Sequence, residues 1–518
     1  MKIFCTASSD TYITDKIIES RFRAEDANVG RAATLDLFKL WGETTLNGSG
    51  SLNEISRLLV KFDYQQLYDL TASKADLNSA GFSAKLKLFD IRAGNAVPAN
   101  FNVAVFPLSQ AFDEGVGKNV ISFADLDSAN FITASYANAT AAAWHASGAD
   151  AVGVLGASNL DIFSQANFSD GAGQVGIFGS QKFVNGTENL TVDVTKLVSA
   201  TIAKQMPDHG FRISFSGSDE SDTKTRFVKR FASRHVSDPL IRPRIEVSFD
   251  DSFQDNHSNF FFDLSGSLFL NSYERSSAAN LVSGSALTPI TGTDCLFLKL
   301  RSGSFSYITS ASQYSAGTYD PARENFVTGV YSASFALPSN DATNVSANWS
   351  LAKFLQLSGS ITFDEFWYSL DGMVGFHTGS LKVEKSATYS ANFTPQEPNI
   401  HVTNTKSEYK LDDQVRIRIF GRDLKAEQSM PVKRPISLPP VIFEEVYYRV
   451  KDVNSGRIII DFGEADNSTR VSTDSKGMFF DFHMSVLPVG RVYEFDFLVV
   501  NRGVRTITKD AQSRFTVR

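Results

Sequence analysis

Apolar and polar residues alternate in short runs along most of this chain, and turn residues divide the runs at close intervals. Residues 34–40, TLDLFKL, set Leu35 and Leu37 against polar neighbours, the pattern of a strand with one buried face. Residues 10–13, 55–63, 82–91, 101–107 and 210–215 predict further strands, with turn chemistry at Asn28-Val-Gly30 and an exposed loop at 47–51. Helical spacing interrupts the pattern twice. Residues 65–72 have room for one or two turns. In residues 193–204, DVTKLVSATIAK, Val194, Leu197, Val198 and Ile202 share one face, with Asp193 or Thr191 as the cap. Residues 124–175 are rich in Ala, Ser and Asn around Trp144, a composition that predicts long surface loops. Residues 229–249 close the first domain, since Pro239 and Pro243 lead into a last alternating run. Short strands at this density describe a double-sheet β-sandwich over residues 1–250.

At residues 250–257, DDSFQDNH, the chain turns acidic and polar, and the first boundary is placed there. A second β module, residues 251–398, has strand candidates at 259–271, 296–308, 329–337, 356–367 and 379–391. The second boundary falls near residues 395–399. Residues 399–518 carry well-spaced strands at 414–420, 441–450, 456–462, 477–483 and 491–500, the spacing of an immunoglobulin-like β-sandwich. Pro431, Pro435, Pro439 and Pro440 flank a loop of polyproline character that stops edge pairing. The expected class is therefore all-β.

Composition narrows the picture. A length of 518 residues at roughly 150 per domain accommodates about three domains. The chain has 43 Phe against 15 Tyr and 4 Trp, and bulky aromatics fit a pleated, half-buried surface, which favours strands. A net charge of −7 lacks the basic footprint of a nucleic-acid binder, and the basic run at 224–234 reads as a solvated face. Cys5 and Cys295 are too far apart to frame disulfides or a zinc cluster, so both are expected to be buried free thiols. The first residues lack the apolar core of a secretion signal, and no window holds the ~18 apolar residues of a membrane span, so a soluble chain without a signal peptide is expected.

No Gly-x-Ser-x-Gly elbow, phosphate-binding glycine loop or His-Glu-x-x-His pair occurs, and the seven His are dispersed. Asp219-Glu220 and Asp412-Asp413 are adjacent in sequence, which gives neither the facing pair of glycoside hydrolysis nor a calcium loop. The densest aromatic run, residues 363–370, FDEFWYSL, is either a core or inter-domain seam or a stacking platform. Trp144, Trp367 and Tyr368 are the candidate contacts to a glycan or protein partner. Asp26, Asp63, Asp193 and Glu246 are candidate calcium ligands, set against ordinary turn and cap carboxylates. Arg57, Arg234, Arg242 and Arg244 are read as anchors for loop carbonyls or acidic side chains, with a glycan or carboxylate clamp as the alternative.

Two resemblances then bear on function. The ordered segments 10–13, 28–30, 57–63, 79–88, 193–198, 210–213 and 231–235 through 242–247 together resemble the DNRLRE family of jelly-roll domains, similar to carbohydrate-binding modules. The segments 446–450, 467–470, 474–480 and 490–497 resemble virion structural proteins of large contractile-tailed phages. The second resemblance implies a non-enzymatic piece of the tail, neck, baseplate or fibre region. Such a protein is assembled in the host cytoplasm, carried on the virion, and partnered by other virion proteins in a homo-oligomeric or symmetric multi-copy array. The first implies the alternative, an attachment protein that recognises host-surface glycan through the N-terminal jelly roll.

Overall fold

The computed structural model describes residues 1–518 except 51, 72–73, 93–96, 122–126, 139, 168–173, 276, 285, 316–325, 386–396, 426–440, 502 and 510–512. The chain is all-β, and its described residues form two compact units. One holds Ile3–Asp69 and Phe82–Ser248; the other holds Met1–Lys2, Leu70–Gly81 and Phe249–Arg518. Both later modules therefore lie in one unit. The prolines at 431–440 and part of the expected boundary at 395–399 lie outside the described residues. No helix among the described residues is long and apolar enough to cross a membrane.

The N-terminal unit is the jelly-roll sandwich. Its first strand, Lys2–Thr14, pairs with Asn53–Phe62 on one side and with Arg244–Ser248 on the other, so it passes from one half of the sandwich to the other. Phe211–Phe215, Phe101–Pro107 and Gly179–Phe183 extend the first half; Ser83–Leu88 and Leu190–Asp193 extend the second. Thr34–Trp41 pairs with both Asn53–Phe62 and Arg226–Ala232. Alternate residues point inward. At the centre Phe101 stacks on Phe183 at 4.8 Å and meets Phe215 edge-on at 5.3 Å. Both expected helices form, as Gln65–Thr71 and Thr195–Ile202, and the Thr195 N–H donates to Asp193.

The expectation of surface loops at 124–175 is corrected for the described part of that segment. It contains a hairpin, Thr133–Ala137 with Thr140–Ala143, and the strands Val152–Val154, Ile162–Asn167 and Gln174–Gly176. Ala129, Ala134 and Ala149 pack around Trp144 against Ile13, Leu59 and Leu108. Small residues here are what lets an indole settle into a core.

In the second unit, seven strands form one sheet in the order Phe260–Phe261, Gly375–Glu384, Ser360–Ser369, Leu296–Ser302, Phe305–Ser315, Phe326–Ala336, Ser265–Asn271. The two edge strands are neighbours in sequence, and Phe260 stacks on Phe335 at 4.7 Å, so the sheet rolls around its own core. Helix Leu351–Ser358 plugs that core with Leu351 and Leu355. It is capped by Ser350, whose Oγ accepts the Lys353 N–H, and stopped by Gly359 at φ +73°. The remaining strands form the immunoglobulin-like sandwich. One sheet is Pro398–Val402, Gln414–Asp423, Gly477–His483 and Ser472–Asp474. The other is built on Glu445–Asp452 and Val492–Asn501. Between them Tyr448 stacks on Phe480 at 4.2 Å, and Phe480 and Phe482 meet Phe495 edge-on.

Candidate functional site

Residues 250–257, expected to be a boundary, form a strap within the second unit. The Asp255 N–H donates to the Thr473 carbonyl, and Gln254 Nε2 donates to the Val471 carbonyl at 3.1 Å. The Phe253 ring lies 4.8 Å from that of Phe269 and 5.4 Å from that of Phe479. One main-chain bond, one side-chain bond and a shared aromatic contact thus hold the strap against residues 471–479, and the strap delivers His257 to the rolled sheet.

His257 sits between two carboxylates. Nδ1 is 2.6 Å from Asp255 Oδ1 and Nε2 is 2.8 Å from Glu365 Oε2, and the two acids are 2% and 1% exposed. Glu365 reaches this position because Phe363, Glu365 and Trp367 share the inward parity of one strand; the Trp367 indole N–H donates to its other oxygen at 2.5 Å. Burial alone would push the His257 pKa down, but hydrogen bonds and charge from both carboxylates override it and push it up to about 10. Burial likewise opposes the Glu365 charge, yet the imidazolium holds this carboxyl below its usual range. The result is a permanent cation at neutral pH with both ring nitrogens engaged.

A cleft of about 460 Å³ opens beside this triad, lined also by Tyr273, His377 and Lys476. Arg416 and Arg418 form its far wall. Their guanidinium carbons lie 4.1 and 4.9 Å from the Phe479 ring centroid, and each is forked onto a carboxylate, Asp481 and Asp474 respectively. Lys74 adds a second cation to Asp481 at 3.1 Å. Fixed charges in this cleft are therefore largely spent on one another. A general base needs a free nitrogen or oxygen aimed at a substrate proton, and His257 offers neither.

The other expected contacts are placed as follows. Trp144 is 5% exposed and donates its indole N–H to the Asn130 carbonyl; Trp367 is 1% exposed. Neither ring has an open face for a sugar, which corrects their assignment as stacking contacts: both serve as core. Tyr368 is half-buried on the opposite face of the same strand, its ring 5.7 Å from that of Phe297. Asp26, Asp63, Asp193 and Glu246 are not gathered. Asp63 and Asp193 accept main-chain N–H groups at helix starts, and Glu246 pairs with Lys87 and Arg244. The arginines act as anchors. Arg57 is forked onto Glu220 and donates to the Gly148 carbonyl at 2.7 Å; Arg242 donates to the Val236 carbonyl; Arg234 is forked onto Glu114. Asp10, Glu114 and His235 do converge in the N-terminal unit. Sequence reading missed this group and the His257 triad alike, because in each case partners more than a hundred residues apart leave no local motif.

No protein-family model matches the chain, and no curated protein matches it. Among solved structures it aligns with trypsin-activated alpha-2-macroglobulin from Escherichia coli at 9% identity and a TM-score of 0.16, covering 91% of this chain and 23% of that one. The FN1-FN3 domains of chicken CNTN1 align at 9% identity and a TM-score of 0.13, covering 64% of this chain and 81% of that one. This chain thus spans about a quarter of the alpha-2-macroglobulin. Likenesses this slight say nothing of what the chain does.

Proposed function

We propose that this chain is a non-enzymatic structural protein of a tailed-phage virion, building the tail, neck, baseplate or fibre region through protein–protein interfaces. The observation that supports it most is the use of charge in the cleft: His257, Arg416 and Arg418 are each consumed by buried or half-buried carboxylates, an arrangement that holds elements in place. The resemblance of segments 446–450, 467–470, 474–480 and 490–497 to contractile-tail virion proteins gives the setting. Sandwiches of this kind dock through broad faces and sheet edges, and symmetric repetition multiplies each weak contact. Immunogold labelling of purified particles tests the reading. Label confined to one part of the particle is expected, and particles lacking the chain altogether would overturn it.

A second reading has one observation in its favour. On the outer face of the rolled sheet, Tyr368 pairs with Phe297 across the strands and Phe366 pairs with Lys299, a half-exposed aromatic row with a cation beside it. Such a row suits the apolar face of a sugar ring. Glycan-array binding by the full chain that Tyr368→Ala abolishes would favour attachment; silence on the array leaves the assembly reading alone.

A further inference from the structure

We propose that Asp10, Glu114 and His235 form a binding site for one divalent transition-metal ion of the zinc or manganese kind, within the N-terminal unit. Asp10 lies in the first strand, Lys2–Thr14; Glu114 follows strand Phe101–Pro107; His235 follows strand Arg226–Ala232. One ligand atom from each lies within 4.8 Å of the other two. His235 Nε2 is 3.4 Å from Glu114 Oε1, which is the edge of a tetrahedron whose centre is roughly 2.1 Å from each ligand, the usual zinc distance to N and O donors.

The unmet bonding capacity points the same way. Asp10 is 1% exposed; its Oδ2 accepts the Arg234 N–H, while its Oδ1 is buried without a partner. His235 Nε2 is also buried without a hydrogen bond. A buried carboxylate oxygen and a buried imidazole nitrogen, both unsatisfied and on residues whose ligand atoms converge within 4.8 Å, are costly unless something sits between these residues. Around them the group is held firmly. Arg234 forks onto Glu114, whose Oε1 also accepts the Asp10 N–H at 2.9 Å, and the His235 N–H donates to Ser233 Oγ at 3.1 Å.

The donor set selects the metal. Calcium and magnesium take oxygen ligands, and an imidazole nitrogen among only two carboxylates suits neither. Without a thiolate the site is also wrong for soft ions, which leaves zinc, manganese and their neighbours, with remaining positions open to water. An ion here would tie the first strand to two segments more than a hundred residues away along the chain.

The test uses the full chain, stripped with chelator and then offered zinc, manganese or calcium separately, with bound metal read by mass spectrometry and affinity by titration calorimetry. One equivalent of zinc or manganese is expected, with calcium not retained. Asp10→Asn and His235→Gln should each weaken binding by roughly 100-fold or more, and Arg234→Lys, which only orients Glu114, by roughly 10–100-fold. Cobalt-loaded wild-type chain should show ligand-field bands and coupling to one imidazole nitrogen, so the proposal stands or falls even if a variant does not fold. No uptake of either metal, preference for calcium, or uptake indifferent to His235→Gln would overturn it and leave an ordered water as the bridge.

Discussion

Replacing His257 with Gln removes the one cation between two carboxylates that are almost fully enclosed. A pKa pushed from 6.5 to about 10 corresponds to about 5 kcal/mol of preference for the charged ring in the folded chain. That agrees with the ~3–5 kcal/mol lost when one member of a buried ion pair is deleted. Because the folded pKa lies above the ordinary one, the contribution is whole below about pH 6.5 and is withdrawn as pH climbs toward 10. His257→Gln should therefore be destabilised by about 3–5 kcal/mol at pH 6 and by no more than about 2 kcal/mol at pH 9. A chain with several cores does not unfold in one step, so the assay must be local. Hydrogen exchange of strand Ser360–Ser369 and of residues 250–257, in wild type and variant at both pH values, reads the free energy of opening where the triad acts. A gap of equal size at pH 6 and pH 9 would refute the reasoning, since an imidazolium that never titrates against folding cannot be what clamps the strap.

The remaining predictions concern packing and buried chemistry. Lys229→Met removes an ammonium that is 0% exposed and bonded to Asp90 and to the Gly186 and Glu188 carbonyls, and should lower stability of the N-terminal unit by ~3–5 kcal/mol, read by hydrogen exchange of that unit's strands. Gly117→Ala would put its Cβ 1.9 Å from the Asn28 carbonyl oxygen and should cost at least ~1–3 kcal/mol by the same measurement. Gly50→Ala, with nothing within 4 Å, should stay within about 0.5 kcal/mol of wild type. Cys5 and Cys295 are both buried, and burial pushes the Cys5 thiol up to about 12, so neither should react with a disulfide reagent until denaturant is added.

What could be read from sequence follows from how far each interaction reaches along the chain. Alternation is local, so the strand Thr34–Trp41 and its inward Leu35 and Leu37 were legible. Lys39 falls on the same parity and is fully buried, yet nothing nearby in sequence reveals its acceptor, Asp222, 183 positions later. Helix Leu351–Ser358 carried its own signals in Ser350 and Gly359, but the strand expected from residue 356 concealed them; the strand begins at Ser360. The described part of residues 124–175 departs from a surface loop because Ala and Ser mark surface in isolation but allow tight packing beside an indole. Trp367 stands out in the sequence as a candidate contact, yet it lies in the core with its indole N–H on Glu365, and Glu365 is held in turn by His257 over a hundred positions earlier. The charged groups that define both candidate sites are long-range in this sense, and a search by spacing passes over them.

Buried cations on paired strands fix register. Thr34–Trp41 and Arg226–Ala232 pair with Lys39 opposite Arg226 and Leu37 opposite Lys229, and both lysines are 0% exposed. A slip by one residue would turn each lysine to the opposite face, away from Asp222 and Asp90 and, for Lys229, away from the Phe183 and Phe231 rings that its ammonium lies over. Our hypothesis is that these pairs contribute more to uniqueness than to stability, since an apolar replacement of a buried pair is often neutral or better. Lys229→Met combined with Asp90→Leu separates the two roles. It should regain most of the stability lost in Lys229→Met alone, while the hydrogen-exchange pattern along Arg226–Ala232 becomes heterogeneous. A double variant as stable and as uniform as wild type would show that the hydrophobic pattern alone holds the register, and that these lysines serve some purpose other than specifying it.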